Sequence, residues 1–248
     1  MSTSHASHTG AKKTGPSFPV KAYLVLYNFA SCAGWASVLY LTIQHLSTSP
    51  STLQRLTARP PSFVPPELVP VYERATTTYA ALGEHTKWVQ TGAALEVVHS
   101  LLGFVRSPVQ TTAMQVASRL YLVWGIANRF SEAQTSPLYA TMVVSWSVTE
   151  VIRYSFYALG LLGTEPGLLL WLRYTTFYLL YPTGAGSEAF VCFATLPLGK
   201  PLSEWDAWAF GRGFLFLLWW PALYFLYSYM IVQRRKVFRS ASTKAKAQ

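Results

Sequence analysis

Charged residues are scarce in this sequence. Only 12% of the 248 residues are charged, whereas 51% are hydrophobic and 15% are aromatic. Because a soluble domain carries roughly 25% charged residues, this composition argues against a water-soluble protein. One span of a hydrocarbon layer about 30 Å thick takes about 20 apolar residues, so the chain can hold several spans. We therefore predict a single membrane domain.

Cysteine is rarer still, with only two residues, Cys32 and Cys192, which both lie inside apolar stretches. This pattern argues against a disulfide framework. The cysteines and the five histidines also lack the spacing of metal ligands. We therefore expect no metal site.

Long apolar segments predict six membrane spans, each about 17–26 residues long. The segments are 22–43, 88–105, 111–127, 138–162, 168–193 and 209–232. The loops between them are short except for residues 47–87, which is typical of a compact bundle with antiparallel neighbours. The predicted fold is an all-α membrane protein, a bundle of about six transmembrane helices.

The formal charge of +10 comes mainly from basic residues at the two ends: Lys12, Lys13, Lys21, Arg234, Arg235, Lys236, Arg239, Lys244 and Lys246. Under the positive-inside rule, this distribution places both termini in the cytosol and requires an even number of spans. We expect a flexible basic cytosolic N-terminus at 1–21, the membrane domain at 22–233 and a basic cytosolic tail at 234–248. A nucleic-acid-binding arm is the weaker interpretation, and we expect no nucleic-acid partner.

Several ionisable residues fall inside the predicted spans, where each costs at least about 2.5–3.5 kcal/mol unless it has a partner, a cavity or a function. They are Glu96, His99, Arg119, Glu150, Arg153, Arg173 and Glu188. Glu150 and Arg153 lie three residues apart, a spacing that brings side chains together along a helix. We interpret them as an ion pair inside the bundle, with a catalytic role as the alternative.

A polar stripe follows helical spacing along the fifth span, formed by Tyr174, Tyr178, Tyr181, Ala185 and Glu188. Tyr181 and Glu188 are seven residues apart, which puts them about 20° apart around a helix and about 10.5 Å apart along it. Pro182, Gly184 and Gly186 predict a kink or local opening between them. Alternatively, the tyrosines form core or interfacial packing and Glu188 marks a helix end near the headgroups.

Residues 99–106, HSLLGFVR, imitate the H-C-x5-R phosphate loop of tyrosine phosphatases. Ser100 stands where those enzymes have their cysteine nucleophile, and serine cannot replace a thiolate of low pKa. We expect no phosphatase activity.

Three segments resemble the very-long-chain (3R)-3-hydroxyacyl-CoA dehydratases, once called protein tyrosine phosphatase-like proteins. They are 146–157, WSVTEVIRYSFY; 171–175, WLRYT; and 180–184, LYPTG, with Glu188 following. The resemblance extends over about 23–238. Many family members have glycine directly before the glutamate, whereas this chain has Ser187, which bears on the local flexibility of the helix.

The resemblance implies that Tyr181 and Glu188 are the catalytic pair and that 22–233 is a dehydratase domain. Members remove water from 3-hydroxyacyl-CoA to give trans-2-enoyl-CoA, the third step of fatty-acid elongation in the endoplasmic reticulum membrane. It also implies a CoA-bearing substrate without a separate cofactor, contact with membrane lipid, and partner enzymes, namely the condensing enzyme, the ketoacyl-CoA reductase and the enoyl-CoA reductase. Lys244 and Lys246 resemble a dilysine retrieval signal, although a merely basic tail is an equal alternative.

Dehydration needs a base for the α-proton and an acid for the departing β-hydroxyl. We expect Glu188 to be the base, because desolvation makes a carboxylate more basic, and Tyr181 to be the donor; the reverse assignment stays open. Glu150, Arg153, Tyr154 and Arg173 are candidates for orienting the pair, or for structural links between helices. Alternatives to a dehydratase are a non-catalytic scaffold of the elongation complex and a transporter, which the absence of repeats disfavours.

Overall fold

The computed structural model describes residues 16–246 of the chain. Lys12 and Lys13 of the predicted N-terminal tail lie outside the described residues, and so do the side chains of Lys244 and Lys246. All regular structure between residues 16 and 246 is helical, as predicted.

Eleven α-helices follow one another within the described part of the chain: α1 (Phe18–Ser47), α2 (Thr52–Thr57), α3 (Val69–Ala75), α4 (Thr78–Thr91), α5 (Ala94–Leu101), α6 (Val109–Leu120), α7 (Ser131–Gln134), α8 (Pro137–Leu162), α9 (Gly167–Thr175), α10 (Phe177–Phe193) and α11 (Ala207–Lys246). A π-helical segment, Tyr121–Ala127, directly continues α6. Single 3-10 turns lie at Pro66–Leu68 and Leu202–Glu204.

The six apolar segments are all largely helical, but three of them are divided. Segment 88–105 is shared between α4 and α5, segment 111–127 changes from α to π geometry, and segment 168–193 is interrupted at Thr176. Among the described residues, two helices are long and apolar enough to cross a membrane: Phe18–Ser47 and Ala207–Arg239, with mean hydropathies of 1.4 and 1.6. The structure thus shows an all-helical protein with two candidate membrane helices.

Helix α8 lies at the centre of the fold, with α1 packed along one side and α10 along another. Trp35 of α1 and Trp146 of α8 meet edge to face with ring centroids 6.4 Å apart, and both are buried. Such contacts between aromatic rings add to the stabilisation from burial. At its end, α8 stops at Gly163, whose φ of +87° suits glycine, and the chain turns back into α9.

Helices α8 and α10 approach closely at Gly184, because a Cβ atom there would lie 3.3 Å from the Ser145 Cβ. We expect Gly184→Leu to lower the free energy of unfolding by about 1–3 kcal/mol, since a larger side chain would push the two helices apart. Thermal unfolding in detergent measures the change. The matched control is Gly186→Leu in the same helix, where a Cβ would meet nothing within 4 Å. Equal stability of the two variants would contradict this packing.

Pro182 lies inside α10 without ending it, so the predicted opening between Tyr181 and Glu188 is not where the helix breaks. The interruption is at Thr176. In the turn that follows it, the Pro182 ring crowds the backbone carbonyl four residues before the proline. That carbonyl belongs to Tyr178, and the Tyr227 hydroxyl of α11 donates to it at 3.5 Å. The group left without its helical partner is therefore satisfied by a neighbouring helix.

Candidate active site

Glu188 lies on α10 and its carboxylate meets α8, where the Trp146 Nε1–H donates a hydrogen bond of 2.5 Å to Oε1. The indole of Trp219 on α11 also lies near this carboxylate. Both indoles are neutral, and among the described residues Glu188 forms no ion pair. The carboxylate is thus held in position while its negative charge stays without a direct counter-charge.

Tyr181 lies on the same helix as Glu188, two turns nearer the helix start, as the seven-residue spacing predicted. Both side chains are half-buried. The two are close enough to interact electrostatically, and within the described part of the chain no side chain hydrogen-bonds the Tyr181 hydroxyl. This hydroxyl is therefore free to bond to a ligand.

Arg119, in the last turn of α6, connects this pair to the centre of the bundle. Its guanidinium forms an ion pair with Glu150 and lies 5.0 Å from the centre of the Trp146 ring. Its positive charge also acts on both Tyr181 and Glu188. Arg119 therefore contacts Trp146, which holds Glu188. Its positive charge also favours negative charge between Tyr181 and Glu188.

The Glu150–Arg153 ion pair predicted from sequence is confirmed, with Nε and Oε2 2.6 Å apart. Arg153 also makes a bidentate contact with Glu96, at 2.6 and 2.9 Å, and the Tyr154 hydroxyl donates to the same carboxylate at 2.5 Å. The side chain of Glu150 is only 1% exposed and lies between Arg119 and Arg153. Two arginines and two glutamates thus form one buried network.

Arg173 does not join this network. Its Nη2 donates to the Tyr157 hydroxyl at 2.9 Å, and its guanidinium lies over the rings of Phe156 and Tyr157. Of the residues expected to orient the pair, the structure therefore brings together Glu150, Arg153 and Tyr154, and places Arg173 elsewhere.

The segment that imitates a phosphatase loop forms no such loop. His99 and Ser100 are both buried; His99 Nε2 lies 2.8 Å from the Tyr23 hydroxyl, and the Ser100 hydroxyl donates to the Ser107 carbonyl at 2.6 Å. His99 also turns to Tyr23 rather than pairing with Glu96. These side chains are occupied by contacts within the bundle.

Sequence reasoning missed the partners of Glu188. Arg119 gave a signal, because it is a charged residue in an apolar segment, and Trp146 lies inside the motif 146–157. Trp219 gave none, since it reaches the site only through the packing of α11. Glu96 was recognised only as an ionisable residue in an apolar segment, and the structure shows that it binds Arg153.

An apolar groove of about 390 Å³ lies between α10 and α11 at Pro182, the residue that follows Tyr181 in the chain. It is lined by Pro182, Trp220, Leu223, Tyr224 and Tyr227. Trp220 and Tyr224 are exposed on the outer face of α11. The groove therefore opens to the outside of the bundle.

Comparison with known proteins gives a consistent result. A family model described as protein tyrosine phosphatase-like protein, PTPLA, matches residues 90–240. The probable very-long-chain (3R)-3-hydroxyacyl-CoA dehydratase of Schizosaccharomyces pombe is 39% identical over 226 residues, 90% of this chain and 95% of the relative. The dehydratase PASTICCINO 2A of Oryza sativa subsp. japonica is 36% identical over 92% of this chain and 96% of its own.

The dehydratase hpo-8 of Caenorhabditis elegans is 39% identical over 91% of this chain and 98% of its own. No solved structure matches. The match to the family over most of the chain confirms the resemblance carried by the motifs around Trp146, Arg173 and Tyr181. The chain belongs to the protein tyrosine phosphatase-like family, PTPLA, together with these very-long-chain (3R)-3-hydroxyacyl-CoA dehydratases.

Proposed function

We propose that this chain is a dehydratase that eliminates water from very-long-chain (3R)-3-hydroxyacyl-CoA to give trans-2-enoyl-CoA in fatty-acid elongation. The observation that carries the proposal is the pairing of Tyr181 and Glu188 on one helix, with Glu188 held by the Trp146 indole. Relatives that bear this activity in their names cover nearly the whole chain, which supports the same assignment.

In the proposed mechanism, Glu188 takes the proton from the carbon next to the thioester. The electron pair of that C–H bond forms the double bond, and the β-hydroxyl leaves as water with a proton from Tyr181. Proton exchange with water then restores both groups, as Glu188 releases its proton and the Tyr181 phenolate takes one up. The thioester itself acidifies the α-proton, so we propose that no separate cofactor takes part.

The positive charge of Arg119 supports this chemistry, because negative charge develops on the thioester oxygen during proton removal. We propose that Glu150, Arg153 and Tyr154 act on the pair only through Arg119 and Trp146. Glu150 fixes the Arg119 guanidinium, and Arg153 in turn fixes Glu150. These three are therefore positioning residues.

We further propose a six-span bundle in the endoplasmic reticulum membrane with both termini cytosolic, the dehydratase domain at 22–233 and basic cytosolic segments at 1–21 and 234–248. Helical structure in all six apolar segments supports this arrangement, as does the concentration of basic residues near the ends. The surrounding lipid would hold the acyl tail of the substrate. The condensing enzyme and the two reductases of the cycle are the proposed partners.

A direct assay tests the function. The protein purified in detergent is incubated with long-chain (3R)-3-hydroxyacyl-CoA, and the products are followed by mass spectrometry. We expect trans-2-enoyl-CoA from the (3R) substrate and much less from the (3S) epimer. If a folded wild-type protein forms no enoyl-CoA, the dehydratase proposal is wrong and a scaffold of the elongation complex takes its place.

Trp146→Phe tests the support given to Glu188. The variant keeps an aromatic ring beside Trp35 and Arg119 but loses the N–H donor, so we expect kcat to fall by about 10-fold to 100-fold, as for loss of a hydrogen bond to a charged group. Steady-state kinetics with 3-hydroxyacyl-CoA measures the change. Trp35→Phe is the matched control: it shortens an equally buried indole that does not contact Glu188. A similar fall in kcat in both variants would mean that the effect comes from packing alone.

A further inference from the structure

Two arginines at one end of the bundle have aromatic rings as neighbours instead of carboxylates. Arg173 of α9 lies 4.9 Å from the centre of the Phe156 ring and 4.6 Å from that of Tyr157. Arg234 of α11 lies 4.9 Å from the centre of the Phe238 ring. Neither forms an ion pair with any side chain that the structure describes.

This arrangement differs from that of the arginines in the interior. Arg119 and Arg153 are neutralised by Glu150 and Glu96. Arg173 and Arg234 are only half-buried, and each makes a single hydrogen-bonding contact, to the hydroxyls of Tyr157 and Thr175 respectively. A guanidinium supported on rings keeps most of its N–H groups available for a planar anion, and phosphate is the anion that it matches best.

Both arginines border α9. Arg173 belongs to this helix, and Arg234 of α11 reaches its residue Thr175, with Nε and Oγ1 3.4 Å apart. The surrounding charge is also positive: Arg235, Lys236 and Arg239 are exposed on α11, while Glu165 is the single carboxylate in the loop between α8 and α9. A phosphate group would therefore find attraction from several sides and little repulsion.

The distance from Arg173 to Tyr181 is suited to one ligand in particular. Arg173 precedes Tyr181 by eight residues, which corresponds to about 12 Å of helix. A pantetheine arm has the length of a four- to five-residue extended peptide, about 15 Å. The exposed ring of Tyr178 lies between the two points, 5.7 Å from the Arg234 guanidinium. An arm bound along this face would bring its thioester to Tyr181.

We propose that Arg173 and Arg234 bind the phosphates of the substrate's coenzyme A and that the pantetheine arm follows the start of α10 to the catalytic pair. The proposal rests on the dehydratase function, since it names the site for the head of that substrate. The two arginines thus determine which carrier of the acyl group is accepted, while Tyr181 and Glu188 carry out the elimination.

The test compares two substrates with the same acyl chain: (3R)-3-hydroxyacyl-CoA and the corresponding 3-hydroxyacyl-pantetheine, which lacks the phosphates. For Arg173→Gln and Arg234→Gln we expect kcat/KM with acyl-CoA to fall by about 10-fold each, through KM, because each loses one charged contact to phosphate. With acyl-pantetheine the rate should stay within a factor of about two of wild type. Arg173→Lys should recover part of the loss, since it keeps the charge but not the planar fork.

Arg129→Gln is the control, because this exposed arginine lies before α8, at the other end of that helix from Tyr157. It should not alter the preference for acyl-CoA. Equal losses with both substrates, or none with acyl-CoA, would overturn the proposal. Binding of free coenzyme A separates this question from turnover: it should weaken in the Arg173→Gln, Arg234→Gln double variant even if dehydration proves not to be the reaction. Unchanged coenzyme A binding would overturn the phosphate site.

Discussion

Replacing Glu188 with glutamine is expected to lower kcat for dehydration by a factor of about 10³ or more, the upper part of the range for removing a general base. Glutamine has the same shape and still accepts the hydrogen bond from Trp146, but it cannot take a proton. The protein should remain folded, since the neutral indole partners leave no charge stranded. Single-turnover formation of enoyl-CoA, together with thermal unfolding, measures both effects.

Tyr181→Phe separates the roles within the pair. We expect a fall in kcat of about 10²-fold or more, because the leaving hydroxyl loses its proton donor. A nearly normal rate here, with the rate lost in Glu188→Gln, would assign both proton transfers to Glu188. Glu132→Gln, at an exposed position in α7, is the control and should react like wild type. Full activity in both variants of the pair would show that the reaction takes place elsewhere.

Glu150→Gln is expected to have the largest effect on stability. The change leaves two arginines beside a neutral amide at a side chain that is 1% exposed. Removal of one partner from a buried ion pair costs about 3–5 kcal/mol, because the remaining charge is left desolvated and uncompensated. Thermal unfolding in detergent micelles should show a clearly lower midpoint, and activity should fall with it because Arg119 loses its anchor.

The Glu84–Lys87 pair supplies the matched comparison. The Glu84 side chain is 69% exposed, and Lys87 keeps a second partner in Asn128. Lys87 itself is buried, but because it keeps Asn128 and the lost carboxylate is largely in contact with solvent, Glu84→Gln should cost clearly less than Glu150→Gln. If Glu150→Gln were no more harmful than Glu84→Gln, the buried network would not hold the helices together.

Local sequence patterns predicted much of the fold. Apolar length located the helical segments, and spacing within one helix predicted both the Glu150–Arg153 ion pair and the placement of Tyr181 with Glu188 on α10. The helix break was predicted between Tyr181 and Glu188 but lies at Thr176, five residues before Tyr181, because a proline crowds the turn that precedes it and not the one that follows. The π segment Tyr121–Ala127 gave no sequence signal, since its hydrogen-bond pattern depends on the surrounding packing.

Contacts between distant segments were beyond prediction. Trp146 and Glu188 are 42 residues apart, and Arg119 and Glu150 are 31 apart. Apolar helices can pack in many rotations with similar burial, so a single sequence does not show which polar groups will face one another. The family motifs identified the catalytic candidates Tyr181 and Glu188. They did not reveal that Arg119 lies between these two residues and the buried ion-pair network.

The groove beside Pro182 has a kinetic consequence. It opens outward between α10 and α11, and the apolar window of α11 is 0% buried within the protein. A substrate whose tail entered there would come from the lipid phase. Each added methylene favours the partition of that tail from water into lipid by about 0.8 kcal/mol. Its effective concentration would then be its mole fraction in the bilayer. At fixed total substrate, adding inert lipid should slow the reaction by surface dilution, and increasingly so for longer acyl chains.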